Sequence, residues 1–178
     1  EEEISAQIGG FYCPKFFADK PVVYVDPKSE SASDEVTAMV TPFNNPQRPF
    51  KTLEAAINFA QERVIKDTKA IQIRLSPGVY QSSVTIPDRV ALINHRMPAE
   101  GTYHQRLAWI TAQELDAPDR VTIFPPANTA HAIKFAGGTN QGIFGCHLVG
   151  RESVPQIGIA GSGSARLSVF NCVIEGFR

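Results

Sequence analysis

One phrase is written twice in the last third of the chain, and it limits what the chain can fold into. Gly142-Ile143-Phe144-Gly145-Cys146-His147-Leu148-Val149-Gly150 returns one period later as Ser168-Val169-Phe170-Asn171-Cys172-Val173-Ile174-Glu175-Gly176. Phe, Cys and the closing Gly keep their spacing, and the β-branched and aliphatic residues fall in register around them. The match extends backward, with Ile133 over Ile159 and Gly137 over Gly163. A period of about 26 residues, made of short β-branched runs and Gly-containing turns, reads as one rung of a stacked solenoid per repeat. No such rung buries its apolar face alone. The register predicts that Phe144 and Phe170 stack inside the solenoid, as do Cys146 and Cys172.

The 178 residues are 43% apolar and 20% charged, enough apolar material for one core. A net charge of −1 gives no electrostatic case for nucleic acid or an anionic membrane. No apolar run approaches the roughly 20 residues that span a bilayer. Three cysteines cannot all pair internally. Equivalent positions of successive rungs put Cys146 and Cys172 about one strand spacing apart, and inward-facing thiols behave as small hydrophobes. Free buried cysteines are the expectation, which leaves the redox compartment open.

Residues 1–21 form an N-terminal arm with an aromatic cluster of Phe11, Tyr12, Phe16 and Phe17. Such an arm either covers apolar surface of its own domain or docks on a partner. A single domain is expected over 22–178. Val22-Val23-Tyr24-Val25 reads as a strand, and residues 28–49 have the Ser, Asp, Asn and Pro content of a long surface loop. The one helix of the pattern is predicted near 52–66. Thr52 serves as N-cap, Glu54 complements the positive end of the dipole, and Leu53, Ala56, Ile57, Ala60 and Val64 make one apolar stripe.

From Ala70 the period changes to that of strands. Short runs at 71–75, 84–86, 90–93, 108–111, 121–124 and 132–135 follow, with no further helix expected between them. Many short strands also suit a sandwich; the recurrence favours the solenoid. A solenoid's first rung exposes its interior and an unpaired edge, so the 52–66 helix is placed to cap it.

At this point the residues resemble a known group. Val23-Tyr24-Val25-Asp26, Pro49-Phe50-Lys51-Thr52-Leu53-Glu54-Ala55-Ala56-Ile57, Ile73-Arg74-Leu75-Ser76-Pro77-Gly78-Val79-Tyr80 and Val84-Thr85-Ile86 are similar to the opening of the pectin lyase-like superfamily. The resemblance covers roughly residues 22–94, with a second patch at 154–177. It implies an all-β solenoid, a right-handed parallel β-helix with an N-terminal capping helix. It also implies an extracellular or periplasmic setting. The superfamily holds pectinesterases, polysaccharide lyases and inert scaffolds, so the resemblance alone does not assign an activity. The second patch, Gln156-Ile157-Gly158-Ile159 through Leu167-Ser168-Val169-Phe170-Asn171-Cys172, looks like the pectinesterase segment that carries an oxyanion-stabilising glutamine, here Gln156. The family's second glutamine would fall at Arg178, and its two catalytic aspartates have no counterpart in this sequence.

Other chemistry is sparse. Glu114, Asp116 and Asp119 lie in a Pro-containing stretch that reads as a solvated turn, without the ligand spacing of a calcium loop. His95, His104, His131 and His147 lack metal-ligand spacing. His147 cannot pair with Cys146 as nucleophile and base, because neighbours in a strand point to opposite faces. Gly161-Ser162-Gly163-Ser164 opens no helix and reads as a turn rather than a phosphate cradle. Tyr103 and His104, in a stretch that interrupts the rung pattern, and Trp109 are the candidates for contact with a polysaccharide, although Trp109 in an apolar run also fits a core position.

The sequence therefore predicts a non-catalytic β-helix module with a structural or binding role and no metal or cofactor. Its partners are a polysaccharide, another protein, or a second copy through the open C-terminal rung. The rival is the N-terminal portion of a carbohydrate-active enzyme of pectinesterase or lyase type.

Overall fold

The short strands of this chain, β-branched and aliphatic at alternate positions, pair with one another in parallel. The computed structural model describes residues 15–36, 43, 45–67, 69–98, 101–161, 163 and 166–178. Phe11, Tyr12 and Cys13 of the arm lie outside them. A short helix, α1 (Lys15–Ala18), precedes β1 (Val22–Val25), and α2 (Leu53–Asp67) precedes β2 (Ile71–Leu75). Then come β3 (Gly78–Tyr80), β4 (Val84–Ile86), β5 (Val90–Asn94), α3 (Tyr103–Thr111) and β6 (Val121–Ile123). The remaining strands are β7 (His131–Phe135), β8 (Gln141–Phe144), β9 (Cys146–Val149), β10 (Ile157–Gly161), β11 (Leu167–Phe170) and β12 (Val173–Glu175). They form three sheets, ordered β1-β2-β5-β8-β11, β4-β7-β10 and β3-β6-β9-β12. Every named strand pair is parallel, the topology of a β-solenoid.

Register explains the core. Val23, Ile73, Leu92, Ile143 and Val169 oppose one another in turn across the five-stranded sheet. Val84, Ile133 and Ile159 do so in the second sheet, and Ile123, Leu148 and Ile174 in the third. The earlier members of these ladders form one buried interior with Tyr80, Ile86 and Phe135. The recurrence seen in sequence is thus a pairing register: Ile159 opposes Ile133, and Phe170 opposes Phe144.

That register corrects one expectation. Phe144 and Phe170 stack, but outside the solenoid. Side chains alternate across a strand, so with Ile143 facing inward its neighbour must face outward. Phe144 joins Phe17, Ala70, Ala91, Ile93 and Met97 in a second buried cluster, with Phe16, Trp109 and Phe170 packed at its margin. The five-stranded sheet is therefore apolar on both faces. Gly142 makes room for this layer, since a Cβ there would stand 2.5 Å from the Phe144 ring. Cys146 and Cys172 do belong to the interior, and both are free thiols. Burial pushes the Cys146 thiol well above its ordinary range and Cys172 up to about 11, so both remain protonated and poorly nucleophilic.

Helix α2 closes the first end. Its predicted stripe of Leu53, Ala56, Ile57, Ala60 and Val64 is buried against β1 and β2. Burying Leu53, Ile57 and Val64 stabilises the fold by about 1.5–3 kcal/mol each. Thr52 Oγ1 accepts from Ala55 N at 3.2 Å, as an N-cap should. Asp34 adds a second cap from the surface loop, accepting from Lys51 N and Thr52 N at 2.9 Å each. The free edge of β1 is met by single bridges to Phe43 and Phe50.

Candidate binding surfaces

The structure overturns the strand and loop expected before β6. Residues Tyr103–Thr111, read as loop and then as a strand at 108–111, form helix α3. Thr102 and Gln105 build a reciprocal capping box there: Gln105 N donates to Thr102 Oγ1, and Thr102 N donates to Gln105 Oε1. A T-x-x-Q signature was present in the sequence and marks this start.

The helix carries all three of the proposed sugar contacts. At 3.6 residues per turn, positions 103 and 104 lie on different faces from position 109. His104 is exposed, whereas Trp109 is half-buried and packs on the outer apolar cluster with Met97 and Phe144. Trp109 thus packs the segment onto that cluster.

The described part of the segment between β5 and β6 is strapped to the outside of the stack by buried polar residues. Asn94, fully buried, donates through Nδ2 to Asp119 O at 2.8 Å and Gly145 O at 3.0 Å, joining the two ends of the segment. Arg120 donates to Gln113 O at 2.9 Å and to Thr122 Oγ1 at 2.8 Å, with Glu175 Oε1 3.9 Å away. His147 Nε2 lies 3.0 Å from Ile110 O. A carbonyl only accepts, so the ring carries its hydrogen on Nε2, and Nδ1 is left buried and unpartnered. Sequence reasoning missed Asn94 and Arg120 because most of their partners lie several to many residues away along the chain and form no local motif.

Burial and the Arg120 charge lower the His147 pKa, outweighing the carbonyl of Ile110 and the carboxylate of Glu175. Burial and nearby cations likewise lower those of His95 and His131. The unfolded chain then binds protons more readily than the folded one below its ordinary histidine range near 6.5. Stability should be full above pH 6.5 and fall as the pH drops below it. Urea midpoints at pH 7.5 and 5.5 check this, and His147→Gln should show a smaller drop. Identical midpoints at the two pH values would refute the assignment.

Gln156 is engaged with backbone of a neighbouring turn. It is buried, and Nε2 donates to Pro126 O at 2.8 Å and Thr129 O at 3.0 Å. Arg151 works beside it, donating to Pro125 O at 3.1 Å while its guanidinium lies 4.1 Å from the Phe124 ring centroid. Together they fold the turn after β6. Glu114 and Asp116 are exposed, and among the described residues no group of three or more His, Cys, Asp or Glu is gathered as a metal cage. No described helix is long and apolar enough to cross a membrane.

Two further surfaces stand out among the described residues. One is a cavity of about 730 Å³ between α2 and the surface loop, lined by Phe43, Phe50, Phe59, Asn58, Glu62 and Arg63 among others. The other is the edge made by β10, β11 and β12, where no described strand pairs on the far side. Ile143 and Leu148 are fully buried, but their partners on this edge, Val169 and Ile174, are 42% and 48% exposed. Ile157 and Leu167 are also exposed beside them. Among the described residues, nothing covers these inner positions at this edge.

Comparison with known proteins assigns no family: no family model matches the chain, and no curated protein or solved structure matches it. The functional argument rests on the geometry.

Proposed function

We propose that the chain is a non-catalytic, right-handed parallel β-helix module of pectin lyase-like type, with about 26 residues per rung near the β10–β12 edge. It acts as a structural and docking element in an extracellular or periplasmic setting. Its exposed edge joins it to protein, and its strapped outer segment, with Tyr103 and His104, is the part that meets polysaccharide. The observation that carries this reading is the contrast along the inner ladders. They are fully buried at Ile143 and Leu148 and nearly half exposed at Val169 and Ile174. Three parallel edges without a described partner strand, beside exposed aliphatic side chains, are the kind of surface that templates association with further β-structure. The engagement of Gln156 with backbone carbonyls supports a structural part for that residue over the oxyanion role that the resemblance implies.

Sedimentation velocity on the purified chain tests the docking role. Self-association is expected at micromolar concentration, with Val169→Lys and Ile174→Lys shifting the population toward monomer. A monomer throughout that range, with the amides of 168–174 strongly protected from exchange, would rule the docking role out.

A further inference from the structure

A smaller cavity, about 390 Å³, lies where four separated segments meet. Phe16, Lys20 and Pro21 come from α1 and its exit, Lys69 and Ala70 from the entry to β2, and Arg89, Thr139 and Asn140 from the turns before β5 and β8. Among the described residues, every ionisable group on its wall is a cation: Lys20, Lys69 and Arg89.

Two of these cations have a carboxylate beside them, and neither carboxylate lines the cavity. Asp88 Oδ1 accepts from Thr139 N at 2.7 Å, Thr139 Oγ1 at 3.2 Å and Asn140 N at 3.3 Å, and Oδ2 is 3.5 Å from Arg89 Nε. It fixes the two turns to each other and holds the root of the guanidinium. Asp19, 3.6 Å from Lys20 Nζ, is 79% exposed and does not line the cavity.

The frame is rigid. Gln72 Nε2 donates to Phe17 O at 2.6 Å and Lys20 O at 2.9 Å, tying α1 to the sheet. Arg89 N donates to Asn140 O at 2.7 Å, and Arg89 O accepts from Ile71 N at 2.9 Å. Arg89 also has φ +58, a left-handed conformation that glycine or asparagine would adopt with less strain. An arginine held there at a conformational cost is the kind of outlier that marks a functional position.

We propose that this cavity binds the oxyanion of a phosphate or sulfate ester, with Arg89, Lys20 and Lys69 as its donors. Arginine offers a planar fork to such a group, and the lysines add point charges on either side. The volume lies within the range of small-molecule sites and exceeds what a lone oxyanion fills. It accommodates a body of about one sugar ring, against which Phe16 provides the apolar wall. Sequence reasoning passed over the three cations because they come from positions 20, 69 and 89, with no local motif among them. The site is separate from the docking edge, so a chain that fails to self-associate leaves it untouched.

Titration of the full chain followed by amide NMR tests the site, using glucose 6-phosphate, glucose 6-sulfate, inorganic phosphate and glucose. Saturable binding of either ester is expected, tighter than inorganic phosphate, weakened by added salt, and with shifts centred on residues 16–21, 69–70, 89 and 139–140. The tighter ester identifies the source of the oxyanion. Lys20→Gln with Lys69→Gln should weaken binding by about tenfold or more, because two of three charge-assisted donors are lost. Lys28→Gln with Lys51→Gln should leave it unchanged. The proposal is overturned if neither ester saturates, if glucose binds equally well, or if the Lys20/Lys69 variant retains full affinity.

Discussion

Phe144→Ala should destabilise the protein by about 3–5 kcal/mol, the usual cost of deleting a fully buried phenyl group. Phe144 is 1% exposed and packs among Phe17, Ile93 and Met97 on the outside of the five-stranded sheet. Phe170 sits in the same register one strand further on, yet it is half-buried at the margin of that cluster. Less apolar surface leaves water there, so Phe170→Ala should cost only about 1–2 kcal/mol. Urea unfolding of the two variants side by side measures the difference. Equal losses would mean that the two rings share one environment, as the repeat alone suggests. A loss under about 1 kcal/mol at Phe144 would remove the outer layer from the core altogether.

Gly150→Ala should cost about 2–3 kcal/mol, at the upper end of overpacking effects. The closing glycine of each repeat copy, Gly150 and Gly176, faces its counterpart in the adjacent turn. A Cβ on Gly150 would stand 2.5 Å from Gly176 O and 2.8 Å from its carbonyl carbon. The obstacle is backbone, which cannot swing aside as a side chain can, and Gly150 N is already held by Glu175 O at 2.8 Å. Gly161→Ala is the control. A Cβ there meets only Phe135 and Leu167 at 3.6 Å or more, an ordinary contact. Thermal unfolding should separate the two clearly, and a Gly150→Ala variant as stable as Gly161→Ala would show that the turns are not so closely stacked.

Much of the architecture was legible in the residues, and the reasons are local. The apolar stripe of α2 and its Thr52 cap are periodic and short-range, so they read directly from sequence. The repeat gave the register of the last strands because parallel stacking places equivalent residues opposite one another. What it could not give is which face a residue occupies. Ile143 and Phe144 are both apolar, and only the outer cover from α1 and α3 distinguishes a two-faced sheet from a one-faced one. Helix α3 was misread because Ala108-Trp109-Ile110-Thr111 is a short apolar run, and such runs do not discriminate helix from strand by period. Its capping box was the better signal. The cation-lined cavity was invisible for a different reason: its residues are adjacent only after three parallel turns have closed.

The strapped segment between β5 and β6 also bears on how the chain closes its loops. Val90 of β5 pairs with Gln141 of β8, and Gln141 in turn pairs with Leu167 of β11. The first of these connections, which contains the segment, is nearly twice as long as the second. Closing a loop twice as long costs only about 0.6 kcal/mol of additional chain entropy. The buried bonds of Asn94 and Arg120, each contributing about 0.5–1.5 kcal/mol net, offset that closure term. Lateral additions to a parallel stack are therefore thermodynamically cheap wherever the adjoining strands keep their register. The slower closure they impose falls on the folding rate instead.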